Sequence, residues 1–430
     1  MFVKFNSKIG LYVALVFATL MFLYGLFLSP LYSLVTFCTF LLLHIAIFFY
    51  FKKDKLHPVL IISTIYFLSS IFSLFVDLNW LAQHGYKDHY SLYFLFSYVL
   101  LIFIVISPGF VLNRASIDWS VRNSFLDFIV KWAWPFLLFT VVYLSPFALK
   151  SLFTGAELVR STVVHEEGVL PVSPLTTVAV GVAQFFSLFI ILWFYAEIKR
   201  YSKFIKYSML LGPVAGILWG FVFASRDVLI WVPLTFVLGY WYWYDYLDNE
   251  FKKSFKKILL VVLFLSGSFF SLFTYQRFST AQEGIIGSLV GYFGYQPYVF
   301  AEMINSHNNF YGLSLRFPFF AKILGEYENI FRYQPYEWQF GTMLADFYGV
   351  SGWFSLFLIP FIIAFFYFIA FKKDFLTNPE CRLVLMVLYF NIMTQGVFYF
   401  RLGSTSGNQY IVLMLMLAFL LNMRRRKWRK

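Results

Sequence analysis

The sequence predicts an all-α, polytopic integral membrane protein of about twelve transmembrane helices, with both termini on the cytoplasmic side. Three observations predict it. The first is composition: 430 residues that are 60% hydrophobic and 13% charged, with a mean hydropathy of +0.73, describe a bilayer solvent and leave no stretch for a separate soluble domain. The second is the recurrence of apolar runs about as long as a helix needs to cross a hydrocarbon core. The third is that the basic residues keep to alternate gaps between those runs.

The runs lie near 9–28, 31–51, 58–76, 91–112, 132–149, 175–196, 207–223, 228–244, 258–275, 340–370, 383–400 and 409–423. The first follows Lys4 and Lys8 in the manner of a signal peptide. Its exit, Leu28-Ser29-Pro30-Leu31, carries no small-x-small cleavage site and leads straight into the next run, so a retained helix is expected. Alternate gaps hold the clusters Lys52/Lys53/Lys55, Lys199/Arg200/Lys203/Lys206, Lys252/Lys253/Lys256/Lys257 and the terminal run Arg424 to Lys430. With the termini included, that side carries 25 of the 34 Lys and Arg, although the longest connections lie on the other. The basic side is therefore read as cytoplasmic. The net charge of +13 is dispersed in short clusters that suit topology and anionic headgroups, and nucleic acid is not an expected partner. Cys38 falls in a span and Cys381 in a cytoplasmic gap, which indicates neither a disulfide nor a metal cluster.

One transmembrane domain is expected over 1–430, with extracytoplasmic loops at 146–174 and 276–338. The second loop is too aromatic to stay solvated, with Phe293, Tyr298, Phe317, Phe331 and Trp338 among many others. It should fold back onto the membrane surface. Glycines 287, 291 and 294 and Pro297 interrupt its apolar stretch 284–303, which reads as short interfacial helices or a re-entrant piece.

Ionisable residues at membrane depth are costly and mark sites. Asp127 and Lys131 are four apart and read as a helix-surface ion pair, and His44 as a satisfied core histidine. Ser225-Arg226-Asp227 forms the whole connection between two short runs. Two readings of Arg226 compete: an arginine snorkelling outward and paired to Asp227, or a phosphate ligand presented to a vestibule, where a guanidinium forks onto phosphate oxygens. Arg277, Arg316, Arg332 and Arg401 fall on the same side. That excess opposes the topology bias and points to a polyanionic ligand such as a lipid diphosphate, although nearby glutamates could also pair with several of these arginines.

The residues 224–226, Ala-Ser-Arg, resemble the Gly-Ser-Arg element of the O-antigen and capsule repeat-unit polymerases (Wzy type). The stretch Phe340-Gly341-Thr342-Met343-Leu344-Ala345-Asp346-Phe347-Tyr348-Gly349-Val350-Ser351-Gly352 resembles their Thr...Asp-Phe-Gly...Gly segment, and the late large outer loop is similar too. Two departures stand out: alanine replaces the first glycine, and two residues instead of one separate Asp346 from Gly349. His307-Asn308 imitates the opening of a motif in the related O-antigen ligases, without its glycine spacing.

The resemblance implies a GT-C-like membrane glycosyltransferase of the bacterial plasma (inner) membrane, inverting, with its site on the extracytoplasmic face. It would polymerise undecaprenyl-diphosphate-linked oligosaccharide repeat units, with lipid-linked donor and acceptor as ligands, and with a chain-length regulator, a flippase and membrane lipids as expected partners. The alternatives are a flippase or transporter of lipid-linked oligosaccharide, and an O-antigen ligase. In such a transfer negative charge grows on the departing diphosphate while a proton leaves the attacking hydroxyl. No Asp-x-Asp element occurs in the chain. Neither a metal nor a cofactor is expected, and the charge falls to Arg226, Arg277, Arg316 and Arg401. The candidate bases are Asp346, Glu283 and Glu302, with Asp346 favoured and read as heading the tenth span.

Overall fold

The computed structural model describes residues 19–23, 31–77, 90–114, 125–154, 170–171, 173–223, 225–278, 284–306, 310, 312–314, 316–325, 341–372 and 379–427. All regular structure among them is helical. Seven helices are long and apolar enough to cross a membrane: Leu31–Tyr50, Tyr93–Val111, Trp134–Thr154, Lys203–Val222, Asn249–Gln276, Trp353–Phe371 and Thr405–Met423. The pair Pro174–Gln184 and Phe186–Ile198, bent by 57° at Phe185, makes an eighth if taken as one span. The chain is thus a multi-pass membrane protein with seven to eight candidate spans among the described residues.

That count departs from the twelve predicted runs for physical reasons. The runs at 58–76, 228–244 and 383–400 become helices of 16, 16 and 17 residues, Pro58–Ser73, Val228–Trp243 and Pro379–Gln395. The last two are buried over nearly their whole length. A helix sheathed by other helices, not by lipid, need not match the bilayer thickness. The run at 340–370 is broken at Gly352, whose φ of +71° only glycine adopts readily. It yields a short helix, Thr342–Ser351, followed by the span Trp353–Phe371. Most of the run at 9–28 lies outside the described residues.

The bundle is inside-out relative to a soluble protein at its rim. Asn249–Phe278 turns Leu260, Val261 and Phe264 outward, and Trp353–Phe371 turns out Phe354, Phe361, Ile362 and Phe365, as lipid contact requires. The centre is dense with rings: Trp193 and Trp243 are fully buried, and Trp193 packs edge-on against Phe194 and Phe236.

Of two short helices from the predicted outer loop, Gly284–Gly294 and Gln296–Ser306, the first is partly exposed, with Ile286 turned outward, and the second is buried in the bundle. Tyr298, Val299, Phe300 and Ala301 are at most 1% exposed, and Gln296–Ser306 packs against Thr342–Ser351, Leu92–Ile106 and Pro58–Ser73. Gly294 makes the entry feasible: a Cβ there would stand 2.7 Å from the backbone carbonyl of Phe72. Inserted backbone of this kind is tolerated where protein surrounds it.

At the end of the bundle carrying Lys52 and Lys252, polar loops are pinned together. Asp54 accepts from Arg114 at 2.6 Å and from the Trp241 indole at 2.7 Å. His57 caps Pro58–Ser73, stacks on Phe51 at 3.7 Å and contacts the Leu112 carbonyl at 3.3 Å. Burial pushes its imidazole down to about 4, opposed in part by that carbonyl and by Asp54. His44 is satisfied by Ser63 at 3.0 Å and stacks on Phe67. Asp127 accepts from the hydroxyls of Tyr195 at 2.8 Å and Tyr201 at 2.6 Å, and Lys131 lies 5.9 Å over the Tyr201 ring.

Candidate functional site

The segment after Pro379–Gln395 organises the opposite end. Residues 396–403 run as a strap along the helix Thr342–Ser351: the Thr342 amide donates to the Phe398 carbonyl at 2.9 Å and the Met343 amide to the Gly396 carbonyl at 2.8 Å. Two of the amides a helix start leaves without an internal partner are thus satisfied by the strap. Thr342 adopts a φ of +69° to make this junction, a conformation unusual for a β-branched residue and costing about 1–3 kcal/mol. Gly396 is needed at the crossing, because a Cβ would stand 2.5 Å from the Met343 sulfur and 2.7 Å from the Ile392 carbonyl oxygen.

Asp346 sits one turn into this helix, not at the head of a span as expected. Its Oδ1 accepts from Arg316 Nε at 2.6 Å and its Oδ2 from the Phe400 amide at 2.5 Å. The next strap residue is Arg401, whose guanidinium lies 2.9 Å from Asp227 Oδ2 and 5.4 Å from the Trp219 ring centre. Asp227 turns its other oxygen to the Val228 amide, at 2.8 Å, and to the Ser225 hydroxyl. Asn408, fully buried, donates to the Leu402 carbonyl at 2.6 Å and to the Arg316 carbonyl at 3.2 Å. Arg316, Asp346, the strap, Arg401 and Asp227 therefore form one continuous polar chain. Both ion pairs are mostly buried, with side-chain exposures of 22% and 10% for Arg316 and Asp346, and 10% and 11% for Arg401 and Asp227.

Arg226, next in sequence to Asp227, is only 4% exposed. Its Nη1 donates to the Thr274 hydroxyl at 2.9 Å, and its guanidinium carbon lies 5.5, 4.8 and 4.9 Å from the ring centres of Phe270, Phe278 and Tyr292. Neither expectation for this residue describes the arrangement. The guanidinium turns inward to an aromatic enclosure instead of snorkelling or facing an open vestibule, and Asp227 is engaged with Arg401. A desolvated cation held by several rings gains about 2 kcal/mol or more from their quadrupoles.

Glu302, 3% exposed, accepts from Tyr90 at 2.5 Å in a cluster that includes Tyr32 and Tyr298. Glu283, Arg332 and His307-Asn308 lie outside the described residues, as does the side chain of Arg277. Among the described residues no three His, Cys, Asp or Glu side chains converge at ligand spacing.

No family model, curated protein or solved structure matches the chain. The resemblance to the repeat-unit polymerases therefore rests on 224–226, on 340–352 and on topology. Of the residues singled out from the sequence, Asp346, Arg316 and Arg401 lie on one chain of contacts, and Arg226 adjoins it through Asp227. Asp227 was anticipated only as a partner of Arg226, not of Arg401, and the strap itself was not anticipated.

Proposed function

We propose that the protein is a membrane glycosyltransferase that polymerises lipid-diphosphate-linked oligosaccharide at the extracytoplasmic face of the bacterial plasma membrane. The observation that carries this reading is the association of Arg316 and Arg401 with two carboxylates along a single strap, at the end of the bundle away from the lysine clusters. Guanidiniums in a partly buried setting are suited to a diphosphate leaving group, since they stay charged and bond phosphate oxygens in pairs. Asp346 is suited to take the proton of the attacking hydroxyl. Arg226, behind its aromatic enclosure, contributes positive potential and holds Asn249–Phe278 beside the Asp227 turn.

Detergent-purified protein incubated with undecaprenyl-diphosphate-linked repeat units should give a ladder of glycan lengths, and excess EDTA should leave it unchanged, because arginines stand where other enzymes use a metal on Asp-x-Asp. No ladder with intact substrate would favour a flippase. A single transfer to lipid A core without a ladder would favour a ligase, and inhibition reversed by Mg²⁺ would refute the metal-free charge compensation.

The orientation has its own test. In a background lacking Cys38 and Cys381, a cysteine at the exposed position Ser404 should react with a membrane-impermeant thiol reagent added to intact cells, with any outer membrane permeabilised. One at Ser254 should not. The reverse pattern would place the strap in the cytoplasm and remove the site from lipid-linked sugars presented outside.

A further inference from the structure

We infer that Asp227 and Asp346 are exchangeable counter-ions: a diphosphate takes Arg401 and Arg316 from them on binding, and this exchange frees the Asp346 carboxylate to act. The inference rests on the proposed diphosphate ligand and adds how the site is switched on.

Both carboxylates are wired in the same way. Asp346 gives one oxygen to Arg316 and the other to the Phe400 amide. Asp227 gives one oxygen to Arg401 and the other to the Val228 amide and Ser225 hydroxyl. Removing one partner of a buried ion pair is ordinarily costly because a charge is stranded. Here each carboxylate keeps local donors after its arginine departs, and each arginine gains a phosphate oxygen, an acceptor of equal strength. Exchange therefore costs far less than rupture.

The arginines also share a scaffold. Arg316 crosses Gly403 so closely that a Cβ there would stand 2.9 Å from its Cδ, and Asn408 ties the Arg316 and Leu402 carbonyls together. Both arginines are thus tied to one strap of a few residues.

In the reaction that follows, the acceptor hydroxyl oxygen bonds to the donor's anomeric carbon as the bond from that carbon to the diphosphate oxygen breaks. The bonding pair leaves with the diphosphate, still held by the arginines, and the hydroxyl proton passes to the Asp346 Oδ1 that Arg316 vacated. Before donor binds, that oxygen is occupied, so the base is withheld from water and other hydroxyls.

The test is equilibrium binding of inorganic pyrophosphate to the purified full-length protein. Asp227→Asn keeps an oxygen for the Val228 amide, since asparagine serves as an N-cap as well as aspartate does, and removes the charge competing for Arg401. It should bind pyrophosphate about tenfold more tightly than wild type, equivalent to about 1.4 kcal/mol. Arg401→Ala should bind more weakly, and Asp227→Asn should give no tightening in the Arg401→Ala background. Unchanged or weaker binding by Asp227→Asn, with a wild-type melting temperature, would make the pair purely structural and overturn the exchange while leaving the arginine site standing. If Arg401→Ala and Arg316→Ala bound pyrophosphate like wild type, both the exchange and the diphosphate site would fall. Displacement of pyrophosphate by phosphatidylglycerol at matched concentration would identify a headgroup site and overturn the diphosphate assignment.

Discussion

Asp346→Asn should lower turnover by about 10²–10⁴-fold, the loss typical of removing a general base, while lipid-linked donor still binds. Asparagine is nearly isosteric, and its side-chain oxygen can accept the Phe400 amide bond that fixes the strap, so the fold around 342–351 is preserved. What it lacks is a basic oxygen. The carboxylate charge that competes with phosphate for Arg316 is removed, so donor affinity should hold or rise. The split between binding and turnover distinguishes this from collapse of the site, in which both fall together. Single-turnover glycan transfer and donor binding measured on the same preparation check it. Wild-type turnover in Asp346→Asn would remove that residue from the chemistry and direct attention to Glu302, held by Tyr90, or to Glu283.

Why hydropathy read the class and not the detail follows from what each depends on. Apolar runs and the lysine clusters report a transfer free energy summed over many residues, so the helical membrane class and most span positions were legible. Single backbone torsions are not summed. The run at 340–370 looks continuous because Gly352 breaks it through its φ alone, and the bend at Phe185 has no proline or glycine at the break to announce it. Burial of Gln296–Ser306 was legible only as one of two alternatives, since an interfacial helix and a re-entrant one share their apolar residues. At the site, the arginine excess was legible as a violation of the charge bias, and it led to Arg316 and Arg401. Their partners were not legible, because Asp227 and Arg401 meet only once the strap has folded against the 225–228 turn.

Arg226 carries the second large expectation. Arg226→Ala deletes the bond to Thr274, vacates the space between Phe270, Phe278 and Tyr292, and leaves those rings without the cation they surround. A charge-assisted hydrogen bond contributes about 1.5–3 kcal/mol, which on a catalytic barrier corresponds to about ten- to a hundredfold in rate; the lost ring contacts and the cavity add to it. Arg226→Lys keeps the charge but not the planar group that rings on several sides can cover, and should fall between wild type and alanine. Because the guanidinium is enclosed, the loss should appear first in folded protein recovered from the membrane and in its melting temperature. Thr274→Val, which removes only the hydroxyl partner, should reproduce part of it. A direct diphosphate ligand would behave differently: Arg226→Ala would be normally abundant and stable but weak in donor binding, and Thr274→Val would be silent. Normal polymer length at normal abundance in Arg226→Ala would show that the enclosed cation is dispensable, and with it the assignment of Arg226 as the anchor of the Asp227 turn.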